Sequence, residues 1–195
     1  MKSVLISIQP RWCELIASGK KTIEIRKSKP KLDVPFKVYI YMTAGDAVYP
    51  VSINGAPYTC SNVGGKVVIG EFVCDKIENI EIRHFTVFGH ENLYTAVGEN
   101  PDNQWLKHSC LSYDEIVRYG KHAPLYGWHI SDLVIYDKPR ELGEFMVFES
   151  KACPAYLNGV CFYRTQNHVI RCKNLDCEHK KITRPPQSWC YVERR

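Results

Sequence analysis

The 195-residue sequence has no apolar run near the roughly 20 residues that a membrane-spanning helix needs. It has no internal repeat and no low-complexity segment. Membrane-spanning helix, collagen and coiled-coil classes are thereby excluded. The opening Met1–Trp12 has little positive charge and no small-residue cleavage site, so it reads as a first strand, not a signal peptide. The expectation is a cytoplasmic chain with no membrane partner. His84, His90, His108 and His122 show no metal-ligand spacing. What is present is ordinary for a packed domain: 45% apolar and 24% charged residues make global disorder a poor description. The length suits one domain with a small appendage.

Cysteine is abundant, and its distribution is uneven. Cys13, Cys60, Cys74 and Cys110 are scattered, whereas Cys153, Cys161, Cys172, Cys177 and Cys190 crowd the last 45 residues. Nine is an odd number, and in a reducing cytosol thiols or metal ligands are expected rather than a disulfide framework. Charge divides at the same place. Residues 1–150 carry 17 basic and 18 acidic residues, while residues 151–195 carry 9 and 3. The net charge of +5 therefore belongs to a basic, Cys-rich tail.

Along the chain, Ser3–Ile8 predicts a strand, and Pro10 stands at the first position of a helix, where its missing N–H is harmless. Trp12, Leu15 and Ile16 supply the apolar face of that helix, and Gly19 falls where a left-handed cap would end it. Thr22, Glu24 and Arg26 alternate with Ile23 and Ile25, which predicts a strand with one wet and one dry face. Phe36–Thr43 and Lys66–Cys74 predict strands, and residues 44–64 between them form a long loop or flap. Glu91–Val97 reads as a short helix. Ser112 with Glu115 makes a capping box for a helix over Ser112–Tyr119, which Gly120 can end. Tyr126–Ile135 reads as a strand that Pro139 stops. This order does not repeat βαβ units. It fits an α+β, mainly β fold: a small, largely antiparallel barrel with helices at its openings.

The most informative stretch is Gly19–Arg26, which has the form G-x-K-x-x-E-x-R on Gly19, Lys21, Glu24 and Arg26. Two residues apart on a strand, Glu24 and Arg26 share a face, and Lys21 enters from the preceding turn. Between Lys20 and Lys37 there are 7 basic and 2 acidic residues. Such a set can form a polar pocket in which Arg makes forked contacts with phosphate or a base edge and Lys acts as a point charge. A carboxylate among them can fix the cations, accept a base amino proton or take part in acid–base chemistry. The alternative is a solvated strand face laced with Glu–Lys–Arg pairs.

This segment, with the Ile8-Gln9-Pro10 strand-to-helix start, resembles the ASCH family (activating signal cointegrator homology). The strand Gly70-Glu71-Phe72 and the aromatic strand Tyr126–Ile130 agree with it. So does the ending Arg184–Glu193, which is similar to that of prophage-type bacterial members. The resemblance covers roughly residues 1–145 and the last strand. It implies a PUA-like β-barrel with a cleft lined by the motif residues, and an association with RNA and modified nucleotides. One branch of the superfamily hydrolyses N4-acetylcytidine with a Lys matching Lys21, a Thr where this chain has Glu24, and a later Glu matching Glu71. Another is linked to RNA cleavage. The resemblance thus implies a binding module for RNA or a modified nucleotide. The alternatives are an amidohydrolase or ribonuclease using Lys21 with Glu24 or Glu71, and a protein-interaction module in transcription regulation. Thr22, on the Glu24 face, can supply a hydroxyl in place of the missing Thr.

Tyr126 and Trp128 share one strand face and can line the same cleft, where an aromatic ring beside cations stacks a base. Trp128 is equally suited to the barrel core, and His129 points to the other face.

In the tail, Cys153-x7-Cys161 and Cys172-x4-Cys177 can bring four thiolates around one tetrahedral Zn²⁺, with His179 and Cys190 as alternates. Apolar residues are sparse between them, and so small an appendage needs a staple. Four protein ligands would make that zinc structural. The expected organisation is a barrel over residues 1–148, a zinc-binding extension over 149–187, and a terminal strand over 188–195 that returns to the barrel. Reduced thiols packed on the barrel are the alternative. Arg164, Arg171, Lys173, Lys180, Lys181 and Arg184 would give the tail a salt-sensitive attraction for nucleic acid.

Overall fold

The computed structural model describes residues 3–44, 51–53, 56–58, 66–87, 90–99, 104–121, 123–147, 156–157, 160–161, 182 and 184–194. The chain opens with β1 (Ser3–Ile8), buried at every position, and α1 (Pro10–Ala17), which packs Pro10, Cys13 and Ile16 inward. Then follow β2 (Ile23–Arg26), β3 (Phe36–Met42), a small hairpin of β4 (Val51–Ile53) and β5 (Ala56–Tyr58), and β6 (Val67–Cys74). Next are β7 (Ile77–Val87), β8 (His90–Gly98), α2 (Gln104–Ser109) and α3 (Tyr113–Gly120). The chain continues with β9 (Leu125–His129), β10 (Ser131–Glu141), a short 3-10 turn over Leu142–Glu144 and β11 (Phe145–Val147). A two-residue pairing of β12 (Tyr156–Leu157) with β13 (Val160–Cys161) precedes the last strand, β14 (Trp189–Arg194). Among the described residues no helix is long and apolar enough to cross a membrane.

The fold is mainly β with few helices, as the alternation of its short apolar segments predicts. A six-stranded sheet runs β10-β6-β3-β1-β14-β11, and a four-stranded sheet runs β2-β9-β7-β8. One antiparallel pair of strands passes from one sheet into the other. Strand β6 continues into β7 after Asp75-Lys76, β9 continues into β10 after Ile130, and His129 N–H donates to Lys76 O across the bend. The strands thus curl into a half-barrel around a core that includes Val4, Ile6, Val38, Ile40, Phe72 and Trp128. β1 lies parallel to β3 and antiparallel to β14, so the end of the chain is built into the sheet. A second cluster (Leu5, Tyr39, Tyr41, Phe145, Val192) covers the outer face of the large sheet. A third (Ile23, Ile25, Ile80, Trp105, Ile116, Leu125) lies beneath α2 and α3.

Four local expectations change. Glu91–Val97 belongs to strand β8, because β7 offers it a continuous antiparallel partner from Ile80↔Gly98 to Val87↔His90. Cross-strand pairing there outweighs the helical pattern. Tyr126–Ile135 is two strands, since the chain turns between sheets at Ile130. Pro139 lies inside β10, where it is tolerated because β10 is a sheet edge whose register slips between Ile135 and Arg140. Finally, α3 ends with Lys121 in the left-handed conformation (φ 48°), one residue after Gly120. Gly120 is needed for closeness instead: a Cβ there would stand 3.1 Å from Ile82 Cγ1.

Candidate nucleotide-binding cleft

The motif residues are placed by the end of α1 and the edge of the smaller sheet. Gly19 takes φ +72°, and its N–H donates to Ile16 O while the Lys21 N–H donates to Leu15 O, both at 2.9 Å. The chain therefore leaves α1 and enters β2 within a few residues. Among the described residues β2 pairs with β9 alone, so its other edge faces the space beside β1 and α1. Ile23 and Ile25 sink into the cluster under α2 and α3, which turns Glu24 and Arg26 the other way.

The face expected to be wet is in fact closed off. The side chains of Lys21, Glu24 and Arg26 are 1%, 8% and 8% exposed. Lys21 Nζ donates to Ser109 O at 2.6 Å, lies 3.3 Å from Glu24 Oε2, and stands 5.0 Å from the centre of the Trp12 ring. The other carboxylate oxygen, Oε1, is 3.2 Å from Arg26 Nη2, which also donates to Ser7 O. Arg26 thus bridges β2 to β1 through its side chain. Two buried cations share one carboxylate, leaving a net charge of +1. Burying three charges is costly and is weak support for stability, so the cluster calls for a functional explanation.

These three residues line a cavity of about 560 Å³, with Trp12 from α1 and Arg118 and Tyr119 from α3 among its other walls. That is the size of a small-ligand site. Burial raises the Tyr119 pKa above its ordinary value, the Arg26 charge lowers it and Glu24 raises it, so its hydroxyl is protonated at neutral pH. At the rim, Arg11 lies 3.9 Å from the centre of the Trp12 ring and 3.1 Å from Glu115 Oε1, tying α1 to α3. The Glu115 carboxyl is held below the usual range, chiefly by the Ser112 backbone N–H of the capping box, against a smaller opposing effect of burial. Ser112 Oγ and Arg11 add to the lowering.

Lys21, Glu24 and Arg26 are brought together, and Gly19 shapes the turn behind them. Tyr126 sits opposite Arg26 in the ladder, half-buried, with Lys29 Nζ 5.3 Å from its ring centre. Trp128, opposite Glu24, is wholly buried and packs edge-on against Phe36 with centroids 5.8 Å apart. Glu71 does not line the cavity. It lies on the outer-cluster face of the large sheet, where it meets Lys37 Nζ and accepts from Tyr136 OH, both at 2.6 Å. Thr22 Oγ1 is engaged with His108 Nδ1 at 3.0 Å.

Cys153, Cys172, Cys177 and His179 lie outside the described residues, and Cys161 is described only as backbone in β13. Cys190 is half-buried on β14, and burial pushes its thiol to about 11. Among the described residues no group of three or more His, Cys, Asp and Glu side chains is placed to hold a metal ion.

Sequence reasoning did not include Trp12, Arg118, Tyr119 or the Ser109 carbonyl in the site. For α3 a signal existed: Glu115, Arg118 and Tyr119 recur at i, i+3 and i+4, one helical face. For a backbone acceptor there is none.

The fold is a mainly β half-barrel, with the buried Lys–Glu–Arg cluster at the β2 edge of its smaller sheet. Residues 6–96 match the family model of the ASCH domain, and this segment contains Lys21, Glu24 and Arg26. The chain is similar to the ASCH protein of Zymomonas mobilis in its crystal structure: 17% identity, TM-score 0.49, covering 98% of this chain and 87% of the other. A tyrosine-to-phenylalanine variant of that protein matches at 19% identity and TM-score 0.44, over 73% of this chain and 77% of its own. A serine-to-alanine variant matches at 16% and 0.47, over 98% and 88%. No curated protein matches the chain.

Proposed function

We propose that the cleft binds RNA or a modified nucleotide. The observation that carries this reading is the buried Lys21–Glu24–Arg26 cluster on the wall of a 560 Å³ cavity. Its net positive charge suits a phosphate, and Glu24 can accept from a base amino group. Trp12 and Tyr119 offer rings for a base. The ASCH match over residues 6–96 supports the same reading, since that family is associated with RNA binding.

Hydrolysis is the second reading, and it rests on the contact between Lys21 Nζ and Glu24 Oε2. Glu71, its other carboxylate, is engaged with Lys37 and Tyr136 away from the cavity, and the Thr22 hydroxyl is engaged with His108. Binding is therefore the reading that the geometry favours. Incubation with N4-acetylcytidine and with labelled RNA separates the two. We expect RNA binding that weakens with salt, without turnover. Turnover that disappears in Lys21→Ala would replace the binding module with an enzyme.

For the tail we propose one structural Zn²⁺ held by Cys153, Cys161, Cys172 and Cys177. The spacing of two thiol pairs in a segment with few apolar residues supports it.

A further inference from the structure

The end of the chain supplies one wall of the cavity. Gln187, exposed and just ahead of β14, stands in the lining with Lys21, Glu24 and Arg26. Ser7 fixes both of its neighbours: the Ser7 N–H donates to Ser188 O at 2.9 Å, and Ser7 Oγ donates to Pro186 O at 2.6 Å. Arg26 Nη2 donates to the carbonyl of the same serine. Ser7 therefore ties the backbone at Gln187 to the buried charge cluster. Two further features hold this segment. Pro185 and Pro186 restrict the backbone ahead of Gln187. Behind it, Trp189 Nε1–H donates to Ser28 Oγ at 3.0 Å, and its ring lies 6.0 Å from that of Trp128, centre to centre. Gln187 also differs in chemistry from the charged groups around it. The cations of the cavity only donate and its carboxylates only accept, whereas an amide offers an acceptor and a donor side by side.

We propose that Gln187 is the base-reading residue of the cleft and that it selects adenine. The inference rests on the nucleotide-binding reading of the cavity and adds to it the identity of the base. The amide oxygen accepts from the N6 amino group while the amide nitrogen donates to the neighbouring ring nitrogen, the bidentate pairing that glutamine makes with adenine. Adenine presents that pair of atoms on both sides of its amino group, at N1 and at N7. Glu24, on the same cavity, is an acceptor for an amino group and repels the carbonyl oxygen that uracil carries in its place. Because Ser7 ties the amide segment to the charge cluster, the phosphate end and the base end of the site are held at one spacing, and little order is lost on binding.

Isothermal titration calorimetry of the full chain with AMP, UMP and ribose 5-phosphate tests this assignment. The wild type is expected to bind AMP about tenfold more tightly than UMP, the gain from one bidentate pair. Gln187→Leu and Gln187→Ala should each bring the two nucleotides within about twofold of one another. Ribose 5-phosphate, which has no base, should bind wild type and variants alike. Gln9→Leu, which removes the other amide of the lining, should keep the preference. Equal binding of AMP and UMP by the wild type, or tighter binding of UMP, would overturn the role of Gln187 and leave the cavity reading standing. The role is overturned in the same way by a preference that survives in both Gln187 variants, by one that Gln9→Leu abolishes, or by a loss of ribose 5-phosphate binding as large as that of AMP. Failure of the wild-type protein to bind any of the three would overturn both.

Discussion

Lys21 Nζ stands 3.3 Å from Glu24 Oε2, with both side chains almost wholly removed from water. Glu24 is shared with Arg26, so its removal leaves two buried cations without their counter-charge. Glu24→Ala is expected to cost about 3–5 kcal/mol of stability in denaturant unfolding. Lys21→Met introduced into that variant should restore part of the loss, because one of the unpaired charges is then gone. A double variant less stable than Glu24→Ala would contradict this electrostatic account.

The motif glycine acts through the backbone. Nothing lies within 4 Å of a Cβ built on Gly19, yet its φ of +72° disfavours any L side chain. Gly19→Ala should cost about 1–2 kcal/mol. That corresponds to a fall of several degrees in melting temperature for a domain of this size. An unchanged melting temperature would show that the turn relaxes freely.

Stability at alkaline pH should fall for a specific reason. Burial, aided by the Asp75 charge, pushes the Cys74 thiol from 9.0 to about 12. The folded state therefore holds this proton more tightly than the unfolded chain. The stabilisation is complete below pH 9 and is lost as the pH rises towards 12. Cys190 and the buried Tyr41 act in the same direction. Cys74→Ala should show a shallower decline over that interval than the wild type in thermal melts. Parallel profiles would contradict the role of Cys74.

Metal analysis addresses the tail. Protein purified without chelator should carry about one zinc per chain, and Cys172→Ser should lower that content. Well under one zinc per chain would contradict the four-thiolate proposal.

Much of the barrel was legible because its strands are short, apolar and bounded by turn residues. The motif was legible because period two places Glu24 and Arg26 on one face, and a capping glycine sets Lys21 at its entrance. What escaped depends on partners distant in sequence. Glu91–Val97 became a strand because β7 lay beside it. The polar face of β2 became buried because α1 and α3 pack over it. Glu71 was drawn toward the site by its position in the resemblance. The pleat of β6 sends it to the opposite face, beside Lys37 from β3, whereas Phe72 enters the core. The Ser109 carbonyl leaves no mark in a sequence at all.

The most direct test of the cleft follows the four tryptophan indole N–H resonances by ¹H–¹⁵N NMR while a single-stranded RNA oligonucleotide is added. Trp12 lines the cavity, whereas Trp105 and Trp128 are buried elsewhere in the fold. Trp12→Phe identifies the Trp12 resonance. Binding in the cleft predicts that this resonance shifts on titration while that of Trp105 stays in place. Saturable binding that leaves Trp12 unmoved, or no binding at all, would contradict it.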